Sequence, residues 1–302
     1  MNRYSKFIKR FELEETILID GATGTEAERR GVPQLKNAWN GGGALSNPDI
    51  IRQIHLDYID RGAEIIISNT FATNKHALTD ASEDHLFKEY NSRAVELAIE
   101  ARKLANKDNV LVAGGISYWR WPEGLPDRNE LYDDIAEQAK IMADSGADLI
   151  MLEMMSDLEF TLITLNAART SGLPVWVGLS CRKNDNGEIC LLMTDTLLKD
   201  ALIELDKKNI PLLNIMHTEV DIISECLDLV EAHWSSYVGV YAHSGIYKNP
   251  EWIFDGVISP RDYAKASEKW IDRKINIVGG CCGIGAKHIE CIHEFLVEKQ
   301  IS

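Results

Sequence analysis

The chain has 302 residues, 45% of them apolar and 26% charged, the balance of an ordinary globular protein, which excludes a disordered chain, a fibre and a disulfide-rich mini-protein. Its 32 Lys and Arg stand against 47 Asp and Glu, a formal charge of −15. Such a surface repels phosphate backbones and acidic headgroups, so neither nucleic acid nor membrane is expected as a main partner.

No apolar run reaches the ~18–20 residues that span a bilayer. The first fifteen residues, MNRYSKFIKRFELEE, are charged throughout and lack the apolar core of a secretory signal. A cytoplasmic protein with reduced thiols is therefore expected. The six cysteines, Cys181, Cys190, Cys226, Cys281, Cys282 and Cys291, are too unevenly spaced for a disulfide framework.

From there the chain alternates. An apolar, β-branched run at 17–20 predicts a strand, and the pattern at 48–61 a helix. The same pair recurs as strand 64–69 with helix 89–106, 110–116 with 131–146, and 149–153 with 158–171. It continues as 175–180 with 197–208, 212–217 with 222–233, 238–243 with 260–270, and 275–280 with 286–299. The strands are apolar throughout rather than alternating, as expected when both sheet faces are buried. Eight such pairs with no linker or change of composition predict one domain over 1–302, a (β/α)₈ barrel. An open doubly wound sheet is the alternative. It is weakened because no G-x-G-x-x-G follows an early strand, and Gly41–Gly42–Gly43 has no strand before it.

A barrel of this kind works at the C-terminal ends of its strands. Seven of the eight runs end in polar or sulfur groups: Asp20-Gly21, Ser68-Asn69-Thr70-Phe71, Ser117-Tyr118-Trp119, Glu153, Asn214 with His217, His243-Ser244, and Gly280-Cys281-Cys282-Gly283. The vicinal cysteines are the most specific feature. They fit a metal held by two thiolates of one turn, although two small buried apolar residues would read the same way. Asp20 before Gly21 reads either as a ligand carboxylate or as a turn residue. Glu153, at the end of a buried strand, is a costly carboxylate to leave unpaired.

Read together, Ile19-Asp20-Gly21-Ala22-Thr23-Gly24-Thr25-Glu26, Ser68-Asn69-Thr70-Phe71-Ala72-Thr73-Asn74, Ala147-Asp148-Leu149-Ile150-Met151-Leu152-Glu153, Tyr241-Ala242-His243-Ser244-Gly245 and Val278-Gly279-Gly280-Cys281-Cys282-Gly283 resemble the homocysteine S-methyltransferase family. That family includes the betaine- and S-methylmethionine-dependent enzymes. The segments span most of the chain in the family's order. The resemblance implies a (β/α)₈ barrel and a Zn²⁺ ion held by three cysteines, two of which match Cys281 and Cys282. It implies a thiol acceptor, homocysteine, bound through its amine by carboxylates matching Asp20 and Glu153, with Gly21, Thr70 and Asn214 nearby. The zinc binds the acceptor as thiolate, which attacks a methyl group of a cationic donor and gives methionine.

The sequence departs from the family at the third zinc cysteine, which in the family follows an asparagine at the end of the sixth strand. Here the stretch reads Leu212-Leu213-Asn214-Ile215-Met216-His217, which puts Ile215 in the cysteine's place. His217 is the expected substitute. Alternation points it the same way as Ile215, about 6–7 Å nearer the mouth, where a local bend would complete a Cys₂His site. His243 is the second candidate and Cys181 the third; Cys190, Cys226 and Cys291 are expected to pack away from the mouth.

For the donor, aromatic faces bind quaternary ammonium or sulfonium groups. Trp39, Trp119, Trp121 and Phe71 are the candidate walls, and Arg120 is a candidate for the donor's carboxylate. Betaine, S-methylmethionine and related sulfonium compounds all fit. A homo-oligomer is compatible with the sequence. The competing reading is a diverged barrel relative with altered or absent metal that binds or methylates another small molecule. A Schiff-base enzyme using Lys183 and a corrinoid-dependent module are weaker alternatives.

Overall fold

The structure, a computed structural model, describes residues 2–119, 126–248 and 251–301. Eight parallel strands form the sheet: β1 (Ile17–Leu18), β2 (Ile65–Ile67), β3 (Leu111–Ile116), β4 (Leu149–Met155), β5 (Val175–Leu179), β6 (Leu212–Glu219), β7 (Tyr237–His243) and β8 (Ile277–Gly280). Each neighbours its sequence successor, and β8 returns to pair with β1. A bridge from Ile19 to Ile65, with Asp20 N–H donating to the Ile65 carbonyl at 2.9 Å, joins β1 to β2 and closes the ring. The barrel predicted from the sequence is the one observed.

Each strand is followed by a helix that covers it: α1 (Pro48–Asp60), α2 (Phe87–Leu104), α3 (Arg128–Asp144), α4 (Leu158–Ala168), α5 (Leu198–Asp206), α6 (Ile223–His233), α7 (Pro260–Ile271) and α8 (Ala286–Ile301). Local chemistry sets several starts. Pro48 and Pro260 occupy first turns, where no N–H is needed, and the Asp157 and Ser259 side chains accept from the exposed N–H groups of Phe160 and Asp262.

The strands are apolar on both sides because both sides are buried. Ile17, Ile19, Ile65, Leu111, Leu149, Met151, Trp176, Leu212, Met216, Tyr241 and Ile277 fill the barrel. Their neighbours Leu18, Ile66, Val112, Ile150, Val177, Leu213, Ile215, Val240 and Val278 face the helices. A short helix at Arg3–Phe7 and a 3₁₀ turn at Ile8–Leu13 close the bottom. There Phe7 and Phe11 join the interior cluster, and the Trp176 indole donates to the Tyr4 hydroxyl at 3.0 Å. The charged N-terminal sequence hides this apolar plug. Among the described residues, no helix is long and apolar enough to cross a membrane.

Two strands break the alternation at the mouth. Between Met216 and Glu219, β6 advances three residues while β7 advances two, from Tyr241 to His243. Between Leu152 and Met155, β4 likewise gains one residue on β5. Each bulge contains a non-glycine residue with positive φ, His217 at 44° and Met154 at 55°. The bulges touch, since Met154 N–H donates to Met216 Sδ at 3.0 Å.

Candidate active site

The C-terminal ends of the strands surround a cavity of about 1050 Å³ including its open entrance. Gly21 through Thr25, Trp39, Asn40, Ser68, Asn69, Phe71, Trp119, Glu153, Met154, Met216, His217, Tyr241, Cys281 and Cys282 are in its wall.

His217, Cys281 and Cys282 converge on one side. Cys281 Sγ lies 3.9 Å from Cys282 Sγ and 3.5 Å from His217 Nδ1, and the three ligand atoms all lie within 4.8 Å of one another. A tetrahedral zinc with Zn–S of about 2.3 Å and Zn–N of about 2.0 Å requires edges of about 3.8 Å between sulfurs and about 3.5 Å between sulfur and nitrogen. The donor set and its spacing therefore fit a zinc ion with one position left for a ligand. One thiol of the pair is favoured as thiolate: the hydrogen bond from the Cys282 side chain, and then His217, hold Cys281 well below the ordinary thiol range, while the same hydrogen bond and then burial push Cys282 up. The turn that presents the pair needs Gly283, whose φ is +81° and whose position leaves no room for a side chain against the Ser244 carbonyl.

The Glu153 carboxylate opens into the cavity beside this cluster. Burial, then Cys281 and Asp20, push it well above the usual carboxylate range. Asp20 lies one layer behind the wall. Its Oδ2 accepts from Ile67 N–H at 2.8 Å, and burial raises it as well. The Tyr241 hydroxyl, buried among the same charges, is pushed up too, first by burial and then by Glu153. Among the described residues that line the cavity, none is a lysine or an arginine. The pocket is thus short of positive charge on the side where its acids gather.

Three aromatic rings, Trp39, Phe71 and Trp119, are also part of the wall. Phe71 and Trp119 pack at 5.9 Å with planes tilted by 35°. Trp39 adopts a positive φ of 45° and donates its indole N–H to Glu28 at 3.1 Å. Trp121 and Arg120 lie outside the described residues.

The structure corrects three expectations. His217 does not point the same way as Ile215: the Ile215 side chain packs between barrel and helices, and the β6 bulge turns position 217 to the mouth. Asn214 does not line the cavity. It is fully buried inside the barrel, where its Nδ2 reaches Met151 Sδ at 3.4 Å. Thr70 is also absent from the wall, because its hydroxyl donates to the Gly115 carbonyl at 2.7 Å and ties β2 to β3, leaving Ser68, Asn69 and Phe71 to face the cavity. Cys181 sits in the outer core, with Cys226 as its first neighbour. The sequence reading missed Tyr241 and Met154. Alternation from Val240 would have pointed Tyr241 inward; no sequence signal marks the bulge that exposes Met154.

Fold and site together define a (β/α)₈-barrel enzyme whose pocket gathers two thiols and an imidazole beside buried carboxylates. The family model described as homocysteine S-methyltransferase matches residues 17–296. A selenocysteine Se-methyltransferase of Brassica oleracea var. italica is 26% identical over 94% of this chain and 89% of its own length. Homocysteine S-methyltransferase 2 of Arabidopsis thaliana is 25% identical over 94% and 93%. The metallated form of the Escherichia coli homocysteine methyltransferase MmuM superposes with a TM-score of 0.77, at 22% identity, over 95% of this chain and 99% of that one; this likeness is one of fold. The chain belongs to the homocysteine S-methyltransferase family, and it is a methyltransferase.

Proposed function

We propose that the protein transfers a methyl group from a sulfonium or quaternary ammonium donor to homocysteine, giving methionine, with a zinc ion held by His217, Cys281 and Cys282. The observation that carries this reading is the convergence of those three side chains at zinc-ligand spacing inside the cavity. A zinc ion there would hold the acceptor sulfur as thiolate at neutral pH, where a free thiol with a pKa of about 8.5 is mostly protonated.

The remaining chemistry belongs to the chain. The acceptor's ammonium supplies the positive charge that Glu153 lacks and that favours its ionised form against burial, with the Asp20 carboxyl behind it. Phe71, Trp119 and Trp39 present ring faces to the donor cation. The acceptor sulfur's electron pair forms the new S–CH₃ bond, and the pair of the breaking bond stays on the donor, which loses its positive charge.

The test is zinc per chain after purification under reducing conditions, together with methyl transfer from S-methylmethionine and from betaine to homocysteine. Near-stoichiometric zinc, lost in Cys281→Ser, Cys282→Ser and His217→Ala along with activity, is expected. Wild-type protein without zinc, or with zinc that none of the three substitutions lowers, overturns the reading.

A further inference from the structure

The ligand set depends on His217 taking a backbone conformation that a histidine rarely adopts. Its φ of 44° lies in the left-handed region, at a cost of order 1 kcal/mol or more unless the surroundings enforce it. Ordinary alternation along β6 would send position 217 outward after inward-facing Met216. Something must hold the bulge open on the cavity side.

One neighbour does so through two contacts. The His243 ring stacks on the His217 ring, with centroids 4.6 Å apart and planes 34° from parallel. His243 is the residue that pairs with Glu219 where the strand register resumes. It therefore touches the bulge by its ring and by the ladder itself. It is not among the three residues whose ligand atoms converge.

We propose that His243 is the positioning residue of the metal site: it fixes the backbone and ring plane of His217 so that Nδ1 faces Cys281 and Cys282. This rests on the reading of His217 as the third ligand. The physical basis is general, since groups that orient a ligand from behind typically change metal affinity by about 10- to 100-fold when removed.

The test measures zinc dissociation constants by chelator competition in wild type, His217→Ala, His243→Ala, His243→Phe, His243→Asn and the His217→Ala/His243→Ala double variant. The absorption spectrum of the cobalt-loaded proteins serves as a second readout. Apoprotein melting temperatures report on folding. His243→Ala is expected to weaken zinc about 10- to 100-fold and to shift the cobalt bands. His243→Phe, which keeps a stacked ring, should recover part of the loss, and His243→Asn, which does not, should recover little. In the His217→Ala background, His243→Ala should add little, because there is no imidazole left to position.

A zinc affinity and cobalt spectrum unchanged by His243→Ala, while His217→Ala loses both, overturn the inference and leave the third-ligand reading intact. A further large loss in the double variant also overturns it, because His243 would then be a ligand itself. If His217→Ala alone changes neither readout, the third-ligand reading falls and the inference falls with it. Should His243→Ala fail to fold, the same comparison is made with His243→Asn, which removes the stacked ring; a wild-type affinity and spectrum there overturn the inference.

Discussion

Gly115→Ala is the most direct probe of how the pocket sets its acceptor carboxylate. Gly115 lies in β3, on the wall behind Glu153. A Cβ there would stand 2.6 Å from Glu153 Oε2 and 2.8 Å from Ile67 Cγ2, but 3.5 Å from the Ser68 carbonyl, an ordinary contact. The carboxylate is the far end of a flexible side chain and opens into the cavity, so it gives way before the backbone does. Displacement by about 1 Å breaks a charge-assisted contact to the acceptor's ammonium, which contributes about 1.5–3 kcal/mol. At about 1.4 kcal/mol per tenfold, KM for the acceptor should rise roughly 10- to 100-fold. KM for the donor and zinc content should stay close to wild type, while the melting temperature should fall, because the buried Ile67 Cγ2 must shift as well. Steady-state kinetics with each substrate varied separately supply the measurement. In a Glu153→Gln background, the same glycine change should add little. A folded, zinc-loaded Gly115→Ala protein with an unchanged acceptor KM would show that Glu153 does not hold the amine.

Three further outcomes are expected. The donor wall can be tested in the same way: a Cβ on Gly24 would meet the Trp39 ring at 2.6 Å, so Gly24→Ala should raise donor KM up to about tenfold, the scale of one cation–π contact, with acceptor KM unaffected. Thr70→Ala removes the hydroxyl that ties β2 to the Gly115 carbonyl and should lower the unfolding free energy by about 1 kcal/mol; an effect confined to acceptor KM, without loss of stability in a denaturant titration, would restore Thr70 as a substrate ligand. His55 is fully buried in α1, with no partner for either ring nitrogen among the described residues, and burial lowers it from 6.5 to about 4. The unfolded chain therefore takes up a proton below pH 6.5 that the folded chain refuses. Its contribution is complete above pH 6.5 and falls by about 3 kcal/mol between pH 6.5 and 4; His55→Leu should flatten that part of the stability profile, and an unchanged slope would refute the assignment.

The barrel was legible because its strands are buried on both faces, which leaves eight uninterrupted apolar runs at regular spacing. Cys281, Cys282 and Glu153 were legible for the same reason, since polar groups at the ends of such runs must face the mouth. What alternation could not supply was position 217. Counting by twos from Leu212 places Asn214 and Met216 inward and Ile215 outward, as observed, and would then put His217 outward as well. The extra residue in β6 reverses that side for His217, as the one in β4 does for Met154. A bulge is a pairing mismatch between two strands, here β6 against β7, and neither strand records it alone. The stretch 212–217 contains no glycine to mark its positive φ. The signal lay in two distant histidines, 217 and 243, each of which was a candidate ligand by itself. Only strand pairing shows that one can face the cysteines while the other stacks behind it, and this is why the residue types gathered at the mouth of a bulged barrel are legible in the sequence before their positions are.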